Sequence, residues 1–118
     1  MSPLAREIYR QLVRQLRARH ASITYGALAA AVSPRVPTHQ RSRLFHAALG
    51  EISTGCRAQG LPCLPAMVWR AGSGRPSSGY FAIAHPRART EDSRRAAWAD
   101  EHAAVLREAP HYPTRPVP

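Results

Sequence analysis

Apolar positions recur with helical spacing over three long stretches of this chain. In residues 3–19, Leu4, Ile8, Leu12 and Leu16 return every fourth position with Val13 beside them, while Arg6, Arg10 and Arg14 fall on the other side. That pattern predicts an amphipathic helix with a cationic outer face. Ser2 precedes it as a cap, and Pro3 suits a first turn, where its missing N–H costs nothing. Residues 38–59 repeat the pattern through Leu44, Phe45, Ala48, Leu49, Ile52 and Cys56, and the positions away from that stripe are small, polar or basic. Thr38 is the expected cap of this helix and Gly60 its stop. A third helix is expected over 91–108, with Trp98, His102, Val105 and Leu106 on its packing face. Thr90 caps it, and Glu91 and Asp92 lie in the first turn, where the helix dipole favours carboxylates.

The shorter runs fill the gaps. Ile23 and Tyr25 are β-formers at one edge of a small sheet, and Thr24 can cap a short helix from Tyr25 to Val32. Two prolines in residues 33–37 end that helix. Leu61 to Pro65 reads as a rigid extended connector. Residues 66–70 and 80–84 are β-rich runs flanking a stretch with three glycines. They predict a β-hairpin with a flexible tip that carries Arg75. Residues 110–118 hold four prolines and are expected to form a loose tail. Helix, short strand, short helix, turn, long helix and hairpin is the element order of a winged helix–turn–helix. The expected fold is therefore α+β, mostly α: a winged helix–turn–helix over 1–89, an additional C-terminal helix over 90–109 and a Pro-rich tail over 110–118.

Charge turns this fold into an expectation about ligands. All 17 basic side chains are arginine, against seven acids, for a net charge of +10. The absence of lysine goes with the many Ala, Gly and Pro as a coding bias; the net charge does not. Thirteen Arg and two Glu give residues 1–89 a charge of +11, and four Arg and five acids give residues 90–118 a charge of −1. A field of that sign attracts polyanions, and guanidinium forks suit phosphate and guanine edges. In a winged helix the third helix enters the major groove and the wing reaches the adjacent groove or backbone. The residues expected to contact duplex DNA are Thr38, His39, Gln40, Arg41, Arg43 and His46 on the recognition helix, Tyr25 beside it, and Arg70 and Arg75 in the wing. The slightly acidic helix over 90–109 has no place in a minimal winged helix and is a candidate surface for a protein partner or a homodimer.

Other chemistries find little support. Cys56 and Cys63 are too few for a disulfide framework, and the six scattered histidines complete no zinc pattern. No metal, cofactor or membrane span is expected, and the chain reads as a soluble, cytoplasmic protein.

Three segments resemble a known family. Thr24-Tyr25-Gly26-Ala27-Leu28-Ala29 is similar to the TYG-x-Ile/Leu-Ala motif that opens the helix–turn–helix of the alkyltransferase-like DNA-binding domains, the group that includes the O6-alkylguanine-DNA alkyltransferases. Leu61 to Val68 is similar to the Ile/Val-Pro-Cys-His-Arg-Val-Val segment that holds the alkyl-accepting cysteine there, and Gly79-Tyr80 to the GGY that follows. The resemblance covers roughly residues 22–81. It implies a winged-helix fold and affinity for DNA, and it sets Arg43 at about the family's distance for an intercalating arginine. The family's cysteine is followed by a histidine that activates the thiol through water, whereas Leu64 and Pro65 follow Cys63 here. A thiol with an unperturbed pKa of about 8.5 is largely protonated at neutral pH. The reading is a non-catalytic DNA-binding protein, either a transcription factor or an accessory subunit of a nucleic-acid-processing or defence complex. The alternative is a winged helix that serves as a protein–protein scaffold.

Overall fold

The structure, a computed structural model, describes residues 1–115. Five helices and two very short strands make an α+β, mostly helical fold: α1 (Pro3–Arg17), β1 (Ile23–Thr24), α2 (Tyr25–Val32), α3 (Arg43–Ala58), β2 (Val68–Trp69), α4 (Ser78–Ala84) and α5 (Glu91–Arg107). Two 3-10 turns, Leu64–Met67 and Ala109–His111, complete it.

Local capping starts the helices largely where the sequence places them. Ser2 Oγ accepts from Ala5 N, Thr24 Oγ1 from Ala27 N, and Thr90 Oγ1 from Ser93 N. Ser93 returns the favour by accepting from Thr90 N, closing a capping box. The expected stripe of α1 is inside: Ile8 and Leu12 are fully buried and Val13 and Leu16 nearly so. It packs on Phe45, Ala48, Leu49 and Ile52 of α3, and Leu64, Met67 and Val68 pass through the same core. Burying side chains of this size stabilises by about 1.5–3 kcal/mol each, so this cluster dominates the fold's stability.

Four expectations are corrected. First, residues 66–84 are not a hairpin. Val68 and Trp69 pair in parallel with Ile23 and Thr24, the sheet has two strands, and 80–84 belong to α4. Tyr80, Phe81 and Ala84 are buried while Ala82 and Ile83 are exposed, a helical rather than an alternating pattern. Gly50 makes room for this helix, since a Cβ there would lie 2.8 Å from Ile83 Cδ1. Second, α3 begins at Arg43 with Ser42 as its cap, not at Thr38. Thr38, His39, Gln40 and Arg41 therefore lie in the loop before the helix. Third, the proline-rich end is not loose where it is described. Tyr112 is buried and its hydroxyl donates to Pro62 O at 2.6 Å. Tyr9 Oη donates to Pro113 O at 2.6 Å, and Arg17 Nη2 to Tyr112 O at 3.0 Å. Residues 116–118 of the expected tail lie outside the described residues. Fourth, Leu106 is 41% exposed, and Trp98, Glu101, His102 and Val105 make the inner face of α5.

Trp98 Nε1 donates to Ala66 O at 2.7 Å, and His102 bonds Ala21 O at 2.7 Å through its ring nitrogen. Val105 and Tyr112 belong to the same core cluster as α1 and α3, with Trp98 and Ala109 packed against it.

Candidate nucleic-acid interface

The loop between α2 and α3 is held from within. Ser33 Oγ lies 2.8 Å from Ala29 O and 2.9 Å from Thr38 O, which share its one proton, and it accepts from Thr38 N. Arg41 N donates to His39 Nδ1 at 3.1 Å, and Ser42 N to His39 O at 2.9 Å, which makes residues 39–42 a turn. His46 Nε2 bonds Gln40 O at 2.7 Å from the first turn of α3. The backbone is thus pinned while the side chains of His39, Gln40, Arg41 and Arg43 stay exposed. Gln40 lies over Gly26, where a Cβ would stand 3.3 Å from its amide. A side chain at residue 26 would require the exposed Gln40 amide to shift by a few tenths of an ångström.

A second loop faces the first. Arg70 N donates to Arg75 O and Gly74 N to Arg70 O, both at 2.8 Å, and Gly74 takes the φ of +67° that such a closed loop requires. Tyr25 ties this loop to α2: its hydroxyl accepts from Ser77 N at 2.8 Å and donates to Ser77 Oγ at 3.2 Å. Tyr25 is buried, and that burial holds its phenol above the usual range. It acts as a structural hydrogen-bonding group and positions the loop. Arg75 is already engaged, by an ion pair with Glu91 in the first turn of α5. That bond to Arg75, more than any other contact, holds the Glu91 carboxyl below its ordinary value.

Between the loops opens a cleft of about 620 Å³, lined by Tyr25, Gln40, Arg41, His46, Arg70 and Ser77 among others. A second cleft of about 450 Å³ adjoins it through Arg70 and Ser78 and adds Arg75, Phe81, Arg89, Glu91 and Arg94. Five of the nine residues singled out in the sequence meet in the first cleft. Arg75 is in the second, and Thr38, His39 and Arg43 line neither. Sequence reading missed Ser77, Arg89 and Arg94. Arg94 sits with its guanidinium 5.2 Å from the Phe81 ring centroid and donates through Nε to Ala88 O. Nothing local in the sequence brings Arg94 beside Arg70; the path of α5 does.

Cys63 is fully buried, as is Leu64 after it. Its Sγ donates to Ser53 O at 3.7 Å. Burial, reinforced by the field of Glu101, pushes the thiol up to about 12. Glu101 is itself unexpected. Its Oε1 is buried without a hydrogen bond, with Arg57 Nη2 at 3.6 Å and His85 Nε2 at 4.0 Å. Tyr80 Oη bonds the same His85 nitrogen at 3.1 Å, and burial holds that imidazole below its usual value. Among the described residues no group of three or more His, Cys, Asp and Glu side chains is placed to hold a metal ion, and no helix is long and apolar enough to cross a membrane.

In comparisons with protein-family models, with curated proteins and with solved structures, no match to this chain is found.

Proposed function

We propose that this chain is a non-catalytic duplex-DNA-binding protein that docks through the loop before α3, the first turn of α3 and the 70–77 loop. The observation that carries this reading is the convergence of Gln40, Arg41, His46 and Arg70 on one open cleft, continued by Arg75, Arg89 and Arg94 in the next. Acids are almost missing from this surface; Glu91 alone lines either cleft. Rigid backbone with exposed guanidinium and amide ends is suited to phosphate and base-edge contacts. The resemblance to the alkyltransferase-like domains supports the same surface, since Thr24 caps α2, Tyr25 braces the facing loop and Gly26 lies under Gln40. In this reading α2 and α3 are the helix–turn–helix pair and the 70–77 loop takes the wing's place. The protein then works as a transcription factor or as an accessory subunit of a nucleic-acid-processing or defence complex.

The test is duplex binding measured across a salt series. With on the order of five phosphate contacts, log K against log salt should fall with a slope of about −4 to −5. No binding at low salt, or a flat response, would remove the proposal.

One observation favours the second reading, protein docking through residues 90–109. Ala96, Ala99, Ala103 and Leu106 are all exposed along one face of α5. Sedimentation that shows a dimer, abolished by Leu106→Glu, would support it.

A further inference from the structure

A second basic pocket lies away from the two clefts. Arg6 and Arg10 of α1, Arg35 in the turn after α2 and Arg115 near the C-terminus line a space of about 570 Å³, backed by Val36. One acid, Glu7, shares it and already accepts three hydrogen bonds. Oε1 accepts from Arg10 Nε at 3.0 Å, and Oε2 accepts from Arg10 Nη2 at 2.8 Å and from Gln11 Nε2 at 3.0 Å. Arg6, Arg35 and Arg115 are exposed, and none of the three guanidinium groups has a hydrogen-bonding or ion-pairing partner among the described residues. Four guanidinium groups against one carboxylate leave the pocket strongly positive. Like charges gathered around one open space repel, and an anion that enters relieves that repulsion. Planar guanidinium forks match a phosphate group in particular.

The pocket is also close to the proposed interface. Arg35 and Arg41 are joined by so short a segment that they lie at most about 22 Å apart even if it is fully extended. One turn of duplex DNA spans about 34 Å. One turn of duplex is therefore long enough to span the two places.

We propose that the pocket around Arg6, Arg10, Arg35 and Arg115 is a second phosphate-binding site, filled by a backbone phosphate of the same duplex that docks on α3. This inference rests on the DNA-binding reading. The site clamps the backbone beside the turn after α2 and reads no base, so its contribution is independent of sequence.

The experiment compares wild type with Arg6→Ala/Arg35→Ala for binding to a 24-base-pair duplex, by fluorescence anisotropy over a salt series. The variant should bind at least tenfold more weakly at low salt, with a slope shallower by about 2, to the same degree for unrelated sequences. Arg35→Glu alone should weaken binding in the same direction, and circular dichroism of each variant checks that it is folded. If wild type binds and both variants keep its slope, this site is removed and the α3 interface stands. If wild type itself fails to bind at low salt, both proposals fall. Inorganic phosphate separates the remaining source. A phosphate-dependent rise in melting temperature that both variants lose, with an unchanged slope on DNA, would make the pocket a small-anion site and overturn the proposal.

Discussion

Arg75, at the end of the closed 70–75 loop, is held by Glu91 in the first turn of α5. The half-buried guanidinium of the 70–77 loop is thus neutralised from within the chain. Arg95 also lies 3.6 Å from the same carboxylate, so Glu91 is shared between two guanidinium groups. Replacing Glu91 by Gln should free Arg75 and remove one negative charge from the second cleft. We expect duplex affinity to rise by about three- to tenfold at low salt, with a salt slope steeper by about one unit. Unchanged or weaker binding would show that Arg75 does not face the nucleic acid.

Arginines that line the clefts should matter more than those that do not. Arg41→Ala/Arg70→Ala removes two cleft residues, whereas Arg95→Ala/Arg107→Ala removes two exposed residues of α5 outside both clefts. The first pair should cost about 1–3 kcal/mol for each lost contact, and the second well under 1 kcal/mol. A gel-shift titration ranks them, and the reverse order would move the docking face.

Tyr112→Phe keeps the ring and removes only the hydroxyl that bonds Pro62 O. Leaving that acceptor without a partner should lower stability by about 1–3 kcal/mol in denaturant unfolding. Truncation after residue 108 also empties the site of the buried ring and should cost more, enough to unfold a domain of marginal stability. A truncated chain as stable as the whole would contradict the place of Tyr112 in the core.

The Cys63 thiol, pushed up to about 12 mainly by burial, should be chemically silent in the native protein. A neutral thiol is favoured by the fold. Its contribution to stability is therefore full below the unfolded pKa of about 8.5 and is lost as pH rises towards 12. Iodoacetamide should label Cys63 only on unfolding, and Cys63→Ser should change duplex affinity by less than about twofold. Mass spectrometry after incubation with an O6-methylguanine duplex should show no adduct. A stoichiometric methyl group on Cys63 would overturn the non-catalytic reading.

The parts of this fold that were legible in the sequence are those set by near neighbours. Ser2, Thr24 and Thr90 cap the helices expected of them, and the stripe Ile8, Leu12, Leu16 is buried as its spacing requires. Residues 80–84 failed because a five-residue apolar run fits either a strand or a helix. Only packing against α3 decides it. Thr38 and Ser42 are both good caps, and the choice fell to Ser42 because the turn over 39–42 interrupts the backbone before it. In the candidate site, Gln40, Arg41, His46 and Arg70 were legible from the element order and the charge. Arg89 and Arg94 were not, because their approach to Arg70 is made by α5 over a long sequence distance. For the same reason the Arg75–Glu91 pair leaves no local trace.

The hydrogen bond from Tyr9 to Pro113 spans 104 residues of chain. Helix α1 is thus completed by residues made about a hundred positions after it. On the ribosome, at about 5–20 residues per second, α1 waits on the order of 5–20 s before its partner emerges. Through that interval Ile8, Leu12 and Leu16 have no finished core to enter. A nascent chain is therefore a client for chaperones until Pro113 has emerged, and a stop before Tyr112 yields a product for proteolysis rather than a smaller folded domain.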